Sequence, residues 1–102
     1  MYRLVASYHH PKDPEHFLDH YRNVHAKIAS QMPNCRAFTW GVCETLDGSK
    51  PPHFLIATLE WDSKEDALAA LSSPIGQEGA EDVANFADAG VEMNAFETNG
   101  EI

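Results

Sequence analysis

The stretch HFLIATLEW, residues 53–61, decides the fold. It has the length of a strand and is apolar on both phases of the alternation until Glu60. A strand that is wet on one side alternates apolar and polar residues. A run without that alternation predicts a sheet covered on both faces. The remaining elements say what is on hand to cover them.

YRLVASY, residues 2–8, alternates Tyr2, Leu4, Ala6 and Tyr8 against Arg3, Val5 and Ser7, which is a strand pattern. HHPKDP breaks it. Asp13 is placed to cap a helix and Pro14 to occupy its first position, where a missing N–H does little harm. That helix is expected to run to about Met32, where Pro33 pushes the preceding residue out of helical geometry. CRAFTWGVCE, residues 35–44, is β-branched and aromatic enough for a second strand. TLDGSKPP is a turn and loop. After the third strand, Ser63 with Asp66 three residues on resembles a capping box. KEDALAALSS then reads as a short helix with Ala67, Leu68 and Leu71 inward. PIGQEG reads as an interruption, and AEDVANFADAG as one more helical segment closed by Gly90. VEMNAFE, residues 91–97, is the last strand, and TNGEI is expected to be a mobile or partner-crossing tail.

The order β-α-β-β-α-(α)-β is a split βαβ unit of the α+β class, ferredoxin-like in its connectivity. It builds a four-stranded antiparallel sheet with helices on one face. No element is left for the other face. A second copy, packed sheet against sheet, is the economical cover, so a homodimer is expected from unspent apolar surface.

The chain of 102 residues reads as a single domain over residues 1–102. Its 43% apolar content supplies a core without help from metal or disulfide. A formal charge of −9 argues against nucleic acid or an anionic membrane as partner, since both need a basic patch. No apolar run approaches about 18 residues, and MYRLVASYHH lacks the pattern of a signal peptide. A cytoplasmic protein is expected. Cys35 and Cys43, eight residues apart on one strand, would lie about 26 Å from each other and cannot pair. They read as two small buried thiols.

Three stretches carry a family resemblance. They are YRLVASY, the helix FLDHYRNVHAKIASQMP with its Phe-x3-Tyr-x3-His, and FLIATLEWDSKEDALAALSSPIGQEGAEDVANFADAGVEM. Together they span nearly the whole chain in order, and the chain resembles the EthD family of the dimeric α+β barrel superfamily. The chain also departs from that pattern. Ala26-Lys27-Ile28 stands where the family often has Val/Ala-Pro-Leu, and Pro33-Asn34-Cys35 stands where it often has Pro-Gly-Leu. His53-Phe54 reverses the usual aromatic-His order, a one-residue shift that turns a side chain to the other face. The resemblance implies two subunits whose sheets close into a dimeric α+β barrel, with a pocket between sheet and helices in each. The family takes its name from a gene neighbourhood for ethyl tert-butyl ether breakdown, beside an oxygenase system. Relatives in the superfamily include lactone isomerases, polyketide cyclases, cofactor-less monooxygenases and haem enzymes. A reductase role finds no support in the residues: there is no Gly-rich dinucleotide turn, flavin signature or redox cysteine pair.

Within the long helix, Phe17, Tyr21, Val24, Ile28 and Met32 make the apolar face, and His25 falls on its edge. It lies about 40° from Tyr21 and about 60° from Ile28. A phenol and an imidazole at i and i+4 can touch and share a proton, and an imidazole at a pocket edge can act as general acid or base. The spacing fits a satisfied core histidine as well. His25 and Tyr21 are therefore the candidate catalytic pair. Tyr8, Phe17, Trp40, Phe86 and Asp82 are the candidate substrate-binding residues. Asp82 with Asn85 is placed to orient His25 or a ligand, though a solvent-facing acid explains them equally. His16 and His20 have a metal-clamping spacing but no evident third ligand, so no metal site is expected, and no cofactor either.

Two function classes stay open. One is a homodimeric enzyme that moves a proton on a small apolar, oxygenated metabolite in catabolism, of isomerase or lyase type and independent of cofactors. The other is a non-catalytic accessory dimer that binds a ligand in support of an oxygenase system. Haem binding through a helix histidine, as in some barrel relatives, is a third option, and it predicts a Soret band on haemin titration.

Overall fold

Four strands pair into one antiparallel sheet in the computed structural model, which describes residues 1–100. They are β1 (Tyr2–Tyr8), β2 (Ala37–Val42), β3 (Leu55–Trp61) and β4 (Val91–Glu97), ordered β2-β3-β1-β4 across the sheet. This is the split βαβ topology that the element order implies. Register assigns the faces. Tyr8 lies opposite Leu55 and Val91, Ala6 opposite Ala57 and Met93, and Leu4 opposite Leu59 and Ala95. Cross-strand partners share a face, so these residues form one layer, joined by Phe38 and Trp40 of β2. All the helices pack on that layer.

The first helix departs from regularity. Pro14–His20 forms α1, with the Asp13 carboxylate accepting from the His16 N–H at 3.2 Å. The next turn, Tyr21–His25, is a π turn in which the Ala26 N–H bonds to the Tyr21 carbonyl. Regular geometry returns only for α2 (Ala26–Ala29). The helix thus stops short of Met32 and carries a wide turn at its centre. That turn leaves Val24, expected inward, 40% exposed.

PIGQEG does not interrupt. After α3 (Lys64–Ser72), it begins α4 (Pro74–Asp82), which a 3₁₀ turn follows at Val83–Asn85. Pro74 takes the first helical position and the Ser73 hydroxyl caps the Gly76 N–H at 3.2 Å. The proline therefore starts a helix. The inward residues of α3 are Ala67 and Ala70, while Leu68 is 54% exposed. Trp61 and Leu59 fill the space beneath α3, which leaves room there only for alanines. Gly90 closes the last turn at φ +93°, a conformation glycine adopts freely. Its carbonyl accepts from the His9 N–H at 3.1 Å.

The second face of the sheet carries no helix. It is more mixed than the sequence implies: Ile56 and Phe96 are exposed there beside Val5, but Arg3 pairs with Glu60 at 2.7 Å and the Thr39 and Thr58 hydroxyls bond at 2.8 Å. Cys35 and Cys43 flank β2, free and half-buried rather than fully buried. Thr98, at the start of the expected tail, is tied by its N–H to the Met1 carbonyl. Residues 101–102 lie outside the described residues.

Candidate functional site

A cavity of about 260 Å³ opens between the sheet and the helices. Leu4, Ala6, Ala57 and Leu59 of the sheet form its floor, and Ala29, Met32, Gly79 and Val83 form its walls. Almost every wall atom is carbon. The polar-bearing residues among its lining are Tyr8, Tyr21 and His25.

His25 is buried, and its Nδ1–H donates to Asp82 Oδ2 at 3.0 Å. Tyr21 packs against the imidazole, ring centroids 5.1 Å apart, but does not hydrogen-bond to it. Its hydroxyl has no partner among the described residues. The expected sharing of a proton between Tyr21 and His25 is therefore corrected: the partner of His25 is Asp82, brought in by the C-terminal end of α4.

Asp82 is itself buried and holds a second imidazole. His20 Nε2–H donates to Asp82 Oδ1 at 2.8 Å, and the Asn85 amide donates to the same oxygen at 3.0 Å. Residues five apart on an α-helix point about 140° away from each other. The π turn, with its i→i+5 bonding, instead brings His20 and His25 into line on one carboxylate. The sequence alone puts His20 on the polar flank, because a regular helix is assumed there. His16 does remain exposed, and with His20 engaged by Asp82 the two do not form a clamp.

Phe86 stacks on His20 at 5.4 Å and lies 4.8 Å from His25. It buttresses both rings and does not line the cavity. Phe17 is fully buried in the aromatic cluster with Tyr8 and Tyr21, behind the cavity wall. Trp40 packs edge-on against Tyr21 at 5.1 Å, with the Arg22 guanidinium over its ring. Of the five candidate substrate-binding residues, Tyr8 alone faces the cavity. Phe17, Trp40, Phe86 and Asp82 support the layer that does.

The electrostatics set a consistent protonation state. Burial is the largest influence on His25 and holds it below its ordinary value of 6.5, while the Asp82 hydrogen bond opposes this without overturning it. Burial pushes the Asp82 carboxyl up, but the bonds from Asn85, His20 and His25 outweigh it and keep the group below 3.8. At neutral pH this gives an ionised Asp82 and a neutral His25. Because Nδ1 carries the proton given to Asp82, the lone pair sits on Nε2. Burial also pushes the Tyr8 and Tyr21 phenols well up, so both remain protonated donors. The arrangement is a carboxylate-oriented imidazole base at an apolar cavity, the relation of orienter and base that general base catalysis uses. His53 lies away from this site, near His9 and Glu92 at one end of the sheet.

A family model described as the EthD domain matches residues 9–90. An uncharacterized 11.0 kDa protein of the thcB-thcC intergenic region of Rhodococcus erythropolis is 44% identical over 93 residues, covering 91% of this chain and 90% of that one. The crystal structure of an ethyl tert-butyl ether D (EthD) family protein from Bacillus halodurans superposes with a TM-score of 0.91 at 23% identity, over 97% of this chain and 99% of that one. A dimeric ferredoxin-like protein of unknown function from Thermobifida fusca superposes at 0.74 with 13% identity, over 95% and 90%. The same fold, the matched segment and the Rhodococcus relative agree: this chain belongs to the EthD family.

Proposed function

We propose that the protein is a homodimeric pocket protein in which His25 moves a proton on a small, apolar, oxygenated metabolite of a catabolic route, without a cofactor. One observation carries this reading. His25 lines an apolar cavity while Asp82 holds its Nδ1, which leaves Nε2 as the basic atom of the ring. A neutral imidazole in a dry site removes a proton from carbon beside a carbonyl when the developing oxyanion finds a donor. Tyr21, protonated and unpartnered, is the candidate donor. The cavity is at the small end of ligand sites, which suits a compact molecule. Dimerisation is supported by the uncovered Ile56 and Phe96 and by the Thermobifida relative, itself dimeric.

Carbon-proton exchange tests the reaction whatever its final product. A panel of small apolar ketones, esters and lactones is incubated with the protein in D₂O, and loss of α-proton signals is followed by NMR. At least one compound is expected to exchange faster with the wild type, and His25→Ala and Asp82→Asn are each expected to slow that exchange by about 10²-fold or more. Binding of panel compounds with no exchange above background would overturn the reading and leave the accessory, ligand-holding role.

A further inference from the structure

Three residues from distant parts of the sequence meet at one end of the sheet. His9 follows β1, His53 precedes β3 and Glu92 is the second residue of β4. Their ligating atoms all lie within 4.8 Å of one another. Glu92 is paired in register with Ser7, so it stands on the face opposite the His25 cavity, and none of the three lines that cavity. The geometry points to a site in which His9, His53 and Glu92 bind one divalent transition-metal ion of the zinc class.

The distances suit a shared ion. His9 Nε2 is 3.1 Å from Glu92 Oε1, and His53 Nε2 is 3.7 Å from Glu92 Oε2. Donors about 2.0–2.1 Å from a tetrahedral zinc lie about 3.3 Å from each other. Both separations, one to each oxygen of the Glu92 carboxylate, are near that figure, and the 3.7 Å contact is too long for a direct hydrogen bond. The two imidazole rings lie side by side, 5.3 Å between centroids. Two imidazoles and one carboxylate select a borderline metal over calcium or magnesium, which want oxygen alone. Three protein ligands leave the fourth position of a tetrahedral site to water or another small donor.

The backbone beneath is fixed. The His9 N–H bonds to the Gly90 carbonyl at 3.1 Å, and the Phe54 N–H bonds to the Tyr8 carbonyl at 2.8 Å. His10, the obvious competitor of His9, points elsewhere: its Nε2 is 2.7 Å from the Pro51 carbonyl.

Metal titration decides the matter. The full chain, stripped with EDTA and desalted, is titrated with ZnCl₂ by calorimetry and with CoCl₂ by visible absorption. One ion per chain is expected, with cobalt bands of a low-coordinate site. His53→Ala and Glu92→Gln should each weaken binding at least tenfold with an unchanged circular dichroism spectrum, and His10→Ala and His16→Ala should leave it unaltered. Absence of saturable binding would overturn the proposal. So would binding that survives His53→Ala and Glu92→Gln, or that is lost in His10→Ala, which would mark adventitious capture by adjacent surface histidines.

Discussion

A phenol hydroxyl buried without a partner costs about 1–3 kcal/mol, and Tyr21 carries one. Tyr21→Phe is therefore expected to stabilise the ligand-free protein by about 1 kcal/mol in urea melts, and to weaken any oxygenated ligand whose oxygen that hydroxyl would bind. A destabilised variant would show that the hydroxyl is satisfied. The lowered His25 makes a second prediction, with a definite sign. The unfolded chain takes up that proton first as pH falls, so the stabilising contribution is complete above about 6.5 and is lost as pH drops toward the folded-state pKa. The melting temperature should decline across that window more steeply in the wild type than in His25→Gln; parallel curves would refute it. Asp82, also lowered, adds a further loss below 3.8. At this scale His25 was legible in the sequence as an ionisable group on an apolar face. Asp82 was legible only as one of two readings, an orienter of His25 or a ligand against a surface acid, because it is 57 residues away and spacing along the chain cannot bring the two together.

Elements were legible where local chemistry is unambiguous: β1, β4 and the two side-chain caps at Asp13 and Ser63 all lie where the sequence implies. The π turn left no such trace. It goes with the bonds of His20 and His25 to Asp82, and a helical wheel drawn at about 100° per residue misplaces Val24 and His20 together. PIGQEG misled for the opposite reason, since its proline and glycines mark a loop unless the proline falls at a helix start. Gly76 has a tertiary reason to be there: a Cβ at this position would run into the carbonyl oxygens of Ala70 and Leu71, where α4 turns back on α3. Gly76→Ala should therefore destabilise the protein by about 1–3 kcal/mol by chemical denaturation. A neutral result would mean that the corner between the two helices yields at no cost.

For the molecule as a whole, one apolar strand and an element count were enough to give a four-stranded antiparallel sheet with a single helical layer. The balance of the second face was not readable, because Arg3 and Glu60 neutralise each other only once β1 and β3 are in register. Ile56→Glu and Phe96→Glu alter side chains already exposed on one protomer, so each should fold normally. In the proposed dimer they would bury a charge, and sedimentation at micromolar concentration is expected to shift from dimer to monomer. A wild type that sediments as a monomer would remove the dimer from the proposal.

The wide turn at Tyr21–His25 also slips the phase of the helix between its two halves. Phe17, ahead of the slip, and Tyr21, at its start, are keyed to the aromatic cluster with Tyr8 and Phe86; Met32, beyond it, packs against the second cluster around Leu59 and Trp61. The cavity borders both clusters, lined by Tyr8 and Ala57 of one and Leu59 of the other. Its walls therefore come from the strands and helices of the main architecture of the domain and not from an appended loop.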